Sequence, residues 1–186
     1  MEAPAVTRYR RPFLAPVWLT MLAAVLALAV AFVVYRSAST TVVVLVQPAD
    51  KEAGTIDDPP LSPEGEERAR MLAQMLGDTT GAGHLDAIYV SDARRAQQII
   101  APLAERLRMQ PTVIPSGDSG AMASRLTRGH DGGKVLFVGN GGNVPQLVYE
   151  LSGVEVAASD QQHEHDTLYV VSMPTYGRAN LVKLRY

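Results

Sequence analysis

The sequence predicts an α/β domain with a largely parallel sheet between two layers of helices, a three-layer sandwich, preceded by one transmembrane helix. Two observations predict this arrangement. Short runs of β-branched residues, such as residues 40–46 and 134–138, alternate with stretches whose apolar residues recur at helical spacing. An uncharged run of 24 residues, Pro12–Tyr35, precedes them all.

The uncharged run has the length of a membrane span, because about 20 apolar residues cross a hydrocarbon core of ~30 Å. Trp18 and Tyr35 lie near its ends, where aromatic rings favour the membrane interface. Three arginines precede the run and one follows it. The positive-inside rule therefore predicts that residues 1–12 are cytoplasmic, 13–35 cross the inner membrane once, and 36–186 form a periplasmic domain.

A cleaved signal peptide is the main alternative, with a cleavage site at Ser37-Ala38-Ser39. The apolar run is longer than the roughly 7–15 residues usual in a signal peptide, which favours an anchor. A buried core helix is disfavoured, because the run is uniformly apolar rather than amphipathic.

Charge and cysteine content exclude several functions. Residues 37–186 hold 13 basic and 18 acidic residues, a net charge of −5, whereas nucleic-acid binding needs clustered Lys and Arg. The chain has no cysteine, which excludes disulfides, thiolate metal sites and a cysteine nucleophile. We expect no nucleic-acid partner.

The first half of the domain begins with a buried strand at residues 40–46 and a polar loop to Pro60. Ser62 and Pro63 have the residue types of an N-cap and a first helical position, and Gly77 ends that helix. A strand at 85–90 follows, and Ser91 or Asp92 should cap the next helix, whose apolar face comprises Ala96, Ile99, Ile100, Leu103 and Leu107.

The second half predicts a short strand at 112–114, a helix at 121–126 and a buried strand at 134–138. A glycine-rich loop, residues 139–143, precedes a helix at 144–151, and strands at 167–172 and 179–184 close the domain. In parallel sheets, sites lie at the C-terminal strand ends. Those ends are residues 47–50, 91–95 and 139–143.

Four segments in these regions form a family pattern. They read Val-Leu-Val-Gln-Pro-Ala-Asp-Lys (44–51), Leu-Ser-Pro-Glu-Gly (61–65), Tyr-Val-Ser-Asp-Ala-Arg-Arg-Ala-Gln-Gln (89–98) and Val-Gly-Asn-Gly-Gly-Asn-Val-Pro (138–145). Together, in this order, they resemble the motifs of the histidine phosphatase superfamily, which is phosphoglycerate mutase-like. The resemblance covers nearly all of residues 40–186 and implies that family's fold.

The resemblance also implies a reaction whose residues are mostly missing. In the family, one His attacks phosphorus, and a second His with two Arg holds the phosphoryl oxygens. At the matching positions this chain has Pro48 for the nucleophile, Gln47 for one Arg and Asn140 for the second His, and only Arg95 is retained. We therefore expect no catalytic residues, and a vestigial ligand site formed by Arg95, Gln47 and Asn140.

The interpretation that follows is a membrane-anchored pseudophosphatase that acts by binding, as an accessory subunit or partner of a membrane or periplasmic protein complex. A weakly bound anion in the vestigial pocket is a further expectation, and no cofactor is expected. The alternative is an active phosphatase or phosphohydrolase with a rearranged site. Arg95 has a structural alternative as well, an ion pair with Asp50 or Asp92, and residues 139–142 have the glycine content of an anion-binding turn.

The histidines offer no clear replacement nucleophile. His84 and His130 fall in glycine-rich loops away from the predicted site, where we expect exposed side chains. His163 and His165 would share one face of an extended segment, as some metal ligands do. That segment lacks an identified third ligand, so a solvated polar loop is favoured and no metal site is expected.

The topology is testable. A reporter that is active only outside the cytoplasm, fused after Tyr186, should be active, and the protein should remain in the membrane fraction after a high-salt wash. The positive charge before the span gives this orientation. A soluble product with a trimmed N-terminus would show that the apolar run is a signal peptide.

Overall fold

A computed structural model describes residues 17–37, 39–47, 58–77, 84–115, 117–139, 142–156 and 167–185. The chain divides into two compact units, with the boundary between Ser37 and Ala38. Residues 48–57 and 157–166 lie outside the described residues, and with them Pro48, Asp50, His163 and His165.

The described part of the N-terminal unit, residues 17–37, forms the helix α1 (Val17–Ser37). It is long and apolar enough to cross a membrane, and none of its apolar stretch Val17–Val34 is buried by the rest of the protein. Signal sequences share these properties, so the helix alone does not separate an anchor from a cleaved leader.

The second unit contains a six-stranded sheet. Its strands are β1 (Thr40–Val46), β2 (Ala87–Ser91), β3 (Thr112–Ile114), β4 (Lys134–Val138), β5 (Thr167–Pro174) and β6 (Asn180–Arg185). The spatial order is β3-β2-β4-β1-β5-β6. The first four in this order are mutually parallel, whereas β5 is antiparallel to β1 and β6 is antiparallel to β5. The sheet is therefore mixed, because β5 and β6 are joined by a short turn, which only antiparallel neighbours allow.

Helices cover both faces of the sheet. They are α2 (Pro63–Leu76), α3 (Arg94–Leu107), α4 (Ser119–Thr127) and α5 (Asn143–Ser152). Val44 and Val46 of β1 pack in one core with α2 and α3, whereas Val43 and Leu45 pack in the other with α4 and α5. The predicted three layers are thus confirmed, and alternation along the strands separates the two cores.

The start of α2 agrees with the prediction. The Ser62 hydroxyl accepts a hydrogen bond from the backbone N–H of Gly65 at 3.1 Å, and Pro63 occupies the first turn. The pKa of Glu64 is lowered from its usual value of 4.5, first by a backbone hydrogen bond, then by the Ser62 hydroxyl and by Arg68. Because the folded-state pKa is lowered, the ionised Glu64 carboxylate stabilises the folded state at pH values above its unfolded-state pKa. This stabilisation is lost as the pH falls through the folded-state pKa.

The start of α3 differs from the prediction that Ser91 or Asp92 caps it. The N-cap residue is Ala93, which has no capping side chain. Instead, both carboxylate oxygens of Asp58 accept hydrogen bonds from the backbone N–H of Arg94, at 3.0 and 3.2 Å. The helix is thus capped by a residue distant in sequence, and the negative charge also complements the helix dipole.

The environment of His130 also differs from the prediction. It is half-buried rather than exposed, and its Nε2 lies 3.0 Å from the hydroxyl of Tyr89. The two rings meet edge to face with centroids 5.9 Å apart. His84 is exposed, as predicted. Among the described residues, no group of His, Asp and Glu has the arrangement of a metal site.

The remote cap of α3 generates a stability prediction. Asp58→Ala should lower the free energy of unfolding by about 1 kcal/mol, because the first turn of α3 loses its acceptor. Asp131→Ala is the matched control: its side chain is exposed, and we expect a change within about 0.5 kcal/mol. Urea denaturation of the full chain in detergent, followed by circular dichroism, measures both. Equal effects of the two substitutions would contradict a capping role for Asp58.

Candidate functional site

The candidate site lies at one edge of the sheet. The four parallel strands β1, β2, β3 and β4 all end there, and the antiparallel strand β5 begins there with Thr167. The helices α3 and α5 follow β2 and β4, so their N-termini lie at the same edge. The positive ends of both helix dipoles are therefore directed at this edge, although at α3 the Asp58 carboxylate already accepts from the backbone N–H of Arg94.

Strand register aligns four residues across this edge. Val46 pairs with Val138 and with Leu168, and Val90 pairs with Val138. One residue further along, the same registers align Ser91, Gly139, Gln47 and Thr167 on β2, β4, β1 and β5, which we call the polar row. The backbone N–H of Gly139 donates to the Val46 carbonyl at 3.1 Å, which continues the β1–β4 ladder to this point.

Side-chain alternation places the polar row on the face covered by α4 and α5. The residues two positions away, Leu45, Phe137 and Tyr169, belong to the core on that side. Ile114, which pairs with Ser91 from β3, belongs to the same core. The row is thus the last layer of an apolar core, and in this layer the side chains become polar.

The side chains of the polar row are buried. Ser91 and Thr167 are 0% exposed and Gln47 is 9% exposed. Within the described ranges of the chain, the Ser91 Oγ and the Thr167 Oγ1 have no hydrogen-bond partner. A buried hydroxyl without a partner costs about 1–3 kcal/mol, so this row is a place where hydrogen-bonding capacity remains unused among the described residues.

Gly139 at the centre of the row is required to be glycine. A Cβ at this position would meet the ring of Phe137, and would lie 3.0 Å from the Cγ2 of Val144. The side chains of Phe137 and Val144 therefore pack against Gly139, which lies between Ser91 and Gln47 in the row. Val144 belongs to the first turn of α5, whose N-cap, Gly142, provides no side-chain cap.

Arg95 lies in the first turn of α3 and is half-buried. Within the described part of the chain it forms no ion pair and no hydrogen bond, so the predicted alternative of a pair with Asp92 is not observed. The other alternative partner, Asp50, is outside the described residues. Gln47 and Arg95 lie at the same edge of the sheet, at the end of β1 and in the first turn of α3, and Asn140 is outside the described residues.

Two residues of the row, Ser91 and Thr167, were missed as site residues by sequence reasoning. Ser91 was assigned to capping, a role that Asp58 performs. Thr167 belongs to β5, which is remote in sequence from the family motifs, and the register of β5 against β1 is what brings it beside Gln47. A sequence signal for Ser91 as a site residue was available, since Ser91 lies in the motif segment that contains Arg95. The sequence gives no such signal for Thr167.

Gln98, another residue of that segment, has a structural role. Its Oε1 accepts a hydrogen bond from the backbone N–H of Leu61 at 2.9 Å, and this bond ties the approach to α2 against α3. The neighbouring Gln97 donates from its Nε2 to the carbonyl of Asp92 at 3.1 Å. Both contacts hold the loops at this edge rather than a ligand.

Comparison with known proteins agrees with this geometry. The sequence profile of the histidine phosphatase superfamily (branch 1) matches residues 46–116, which extend from the end of β1 to just beyond β3. No curated protein sequence matches the chain significantly. The fold of the second unit is shared with solved structures of phosphatases.

Three of these structures are informative. A SixA-type protein from Nakamurella multipartitia is 21% identical, with a TM-score of 0.58 over 80% of this chain and 98% of its own. The protein histidine phosphatase SixA complexed with tungstate is 20% identical, with a TM-score of 0.64 over 77% and 96%. A histidine-to-alanine mutant of phosphoserine phosphatase from Entamoeba histolytica, complexed with phosphoserine, is 15% identical, with a TM-score of 0.59 over 76% and 95%. At these identities the likeness establishes the fold alone.

The unpartnered hydroxyls generate a prediction about stability. Thr167→Val should leave the free energy of unfolding unchanged or raise it by about 1 kcal/mol, because it replaces an unsatisfied buried hydroxyl by a methyl group of similar shape. Thr41→Val is the matched control at the other end of β1. The Thr41 hydroxyl donates to the His130 carbonyl at 3.2 Å and accepts from the Gly132 N–H at 3.0 Å.

The control substitution Thr41→Val should therefore lower the free energy of unfolding by about 1–3 kcal/mol. Urea denaturation of the full-length variants, compared at equal detergent concentration, gives both values. A loss of stability in Thr167→Val as large as that in Thr41→Val would show that the Thr167 hydroxyl already has a partner.

Proposed function

We propose that this protein, which has a histidine phosphatase-like domain, is a membrane-anchored pseudophosphatase. It would bind an oxyanion-bearing ligand without turning it over. The observation that carries the proposal is the identity of the motif residues. Pro48 occupies the nucleophile position, and a proline side chain carries neither a lone pair for attack nor a proton to donate. Removing the nucleophile from a catalytic set costs about 10⁶ in rate in a comparable dissected system.

Charge supports the same interpretation. The family motif clusters two histidines and two arginines, whereas this chain has the neutral Gln47 and Asn140 and the single cation Arg95. Phosphoryl transfer depends on cationic donors that stabilise the charge developing on the phosphoryl oxygens. One guanidinium is insufficient for that purpose, but it can hold an anion together with neutral donors.

Binding is supported by the donors that remain. Arg95, half-buried and without an ion pair among the described residues, is at the same sheet edge as the buried hydroxyls of Ser91 and Thr167. At the start of α5, the N-cap residue Gly142 has no side chain that could bond the first-turn N–H groups at that edge. The related fold that holds phosphoserine after loss of a histidine is a precedent for binding by a mutated site.

The biological role that follows is recognition. With α1 as the anchor, residues 13–35 in the inner membrane and the domain in the periplasm, the protein would act as an accessory subunit or partner of a membrane protein complex. Recovery of the full chain in mild detergent, followed by identification of co-purifying proteins, tests that part of the proposal. A chain that repeatedly purifies alone would oppose it.

The second candidate is an active phosphatase with rearranged chemistry. The neighbouring structures named as phosphatases favour it. It requires a nucleophile other than Pro48, and the described histidines do not supply one at this edge: His130 is engaged with Tyr89, and His84 precedes β2 at the opposite end of the strands.

The two candidates differ in a direct assay. The full-length protein in detergent should hydrolyse para-nitrophenyl phosphate at the background rate and form no phosphohistidine, while tungstate should raise its Tm at millimolar concentrations. Arg95→Ala should weaken tungstate binding about tenfold or more, because a charge-assisted hydrogen bond is lost. Arg94→Ala is the control, since it removes the same charge from an exposed neighbouring position.

Restoring the family residues provides the converse test. The triple variant Gln47→Arg, Pro48→His and Asn140→His should bind tungstate more tightly than the natural chain, because it regains cationic donors. Turnover by the natural chain that disappears in Arg95→Ala would overturn the pseudophosphatase and favour the second candidate.

A further inference from the structure

The end of the domain opposite the polar row is where the chain enters it. Ser39 is bonded there to the turn between β5 and β6: its carbonyl accepts from the backbone N–H of Thr175 at 3.0 Å and from the Thr175 hydroxyl at 2.8 Å. The two side-chain oxygens are 3.4 Å apart. The turn is therefore fixed beside the first residues of the domain.

The loop between α4 and β4 is fixed at the same place. Gly132 adopts a left-handed backbone with φ of +75°, and a Cβ there would lie 2.6 Å from the Cβ of Ser39. The Thr41 hydroxyl bonds both the His130 carbonyl and the Gly132 N–H. Two loops thus flank Ser39, one bonded to its carbonyl and the other bonded to Thr41.

These loops present a basic and aromatic surface. Arg128 and Arg178 are both exposed, and Tyr176 at the tip of the β5–β6 turn is 72% exposed. We call these three residues the tether surface. Asp131 is the exposed acid nearest to them in sequence. The tether surface carries two positive charges in a domain whose net charge is −5, and Asp86, whose Oδ2 accepts from the backbone N–H of Lys134, is a second exposed acid at this end.

From this placement we propose that the tether surface binds the anionic phospholipid headgroups of the membrane that holds the protein. The inference rests on the anchoring part of the proposed function. Only Ala38 separates the last residue of α1 from Ser39, and one residue spans at most about 3.6 Å. A bilayer that surrounds α1 therefore comes within reach of the loops that flank Ser39.

The residue types match the interface. Tyrosine favours the headgroup region, where its ring is shielded and its hydroxyl remains hydrated. Each arginine near an anionic surface favours the bound state by about fivefold at low ionic strength, and the effect decays over roughly 10 Å. Two arginines together favour the membrane-bound state by about 25-fold, which is sufficient to orient a domain that is already tethered.

The proposed contact also fixes the direction of the candidate site. Thr40 and Val46 are the two ends of β1, and seven residues of strand extend over about 23 Å. With the tether surface on the membrane, the polar row is held at the far edge of the sheet. A partner or ligand would then approach it from the aqueous side.

The experiment uses the absence of cysteine from the chain. A single cysteine is introduced by Asn180→Cys, at the exposed start of β6 beside the turn, or by Gln146→Cys, at the exposed start of α5 near the polar row. Each full-length variant is labelled with a fluorophore and reconstituted into phosphatidylcholine vesicles with or without phosphatidylglycerol. Lipids with a nitroxide on the headgroup then quench labels at the surface.

We expect the label at position 180 to be quenched at least about threefold more than the label at position 146. The difference should require phosphatidylglycerol and fall with added salt, because the attraction is screened. Combining Asn180→Cys with Arg128→Gln and Arg178→Gln should remove the difference. Equal quenching at the two positions, or quenching that persists without the arginines, would overturn the proposal.

A carbonate wash of the same vesicles separates this result from failure of the anchor. Protein that is retained while label 180 is not quenched means that the anchor is present and the tether surface is not used. Protein that is released shows that α1 does not span the bilayer, and the lipid contact then falls together with the anchoring part of the proposed function.

Discussion

The position of β1 at the centre of the sheet is the constraint on which the rest of the domain depends. The strand is hydrogen-bonded to β4 on one side and to β5 on the other, and its residues Val43, Leu45 and Val46 are completely buried. A shift of one residue would exchange the two faces of β1 and move Val43 and Leu45 out of their core. The register is therefore strongly specified, and with it the place of Gln47 at the end of the strand.

The candidate site follows from that register. Once the apolar layers are in place, the next residue on each of four strands meets at one edge, and there the core ends in polar side chains. Burial of Ser91 and Thr167 without partners opposes folding, and such groups are commonly retained where a ligand satisfies them. Asp58 and Gln98 stabilise the surrounding loops by capping α3 and by bonding Leu61. The loops at this edge are therefore held by contacts that involve neither Gln47 nor Arg95.

The two ends of the sheet have different chemistry. At one end the strands finish in the polar row, and the helix starts direct backbone N–H groups toward it. At the other end, Ser39 is held between two loops that carry arginine and an exposed tyrosine. Under the proposed lipid contact, electrostatic attraction would act on the end that carries Arg128 and Arg178 and would leave the other end accessible.

The sequence by itself determined the alternation of strands and helices, the apolar helix at the N-terminus and the bounds of β1, β3 and β4, because these depend on local hydrophobic patterns. It also predicted the Ser62 cap and the location of Gln47 and Arg95, since short motifs determine both. Only the tertiary structure decided the Asp58 cap of α3, the contact of His130 with Tyr89 and the place of Thr167 beside Gln47. Each of these joins residues that are far apart in the chain, and such pairings depend on how the layers pack rather than on any local pattern.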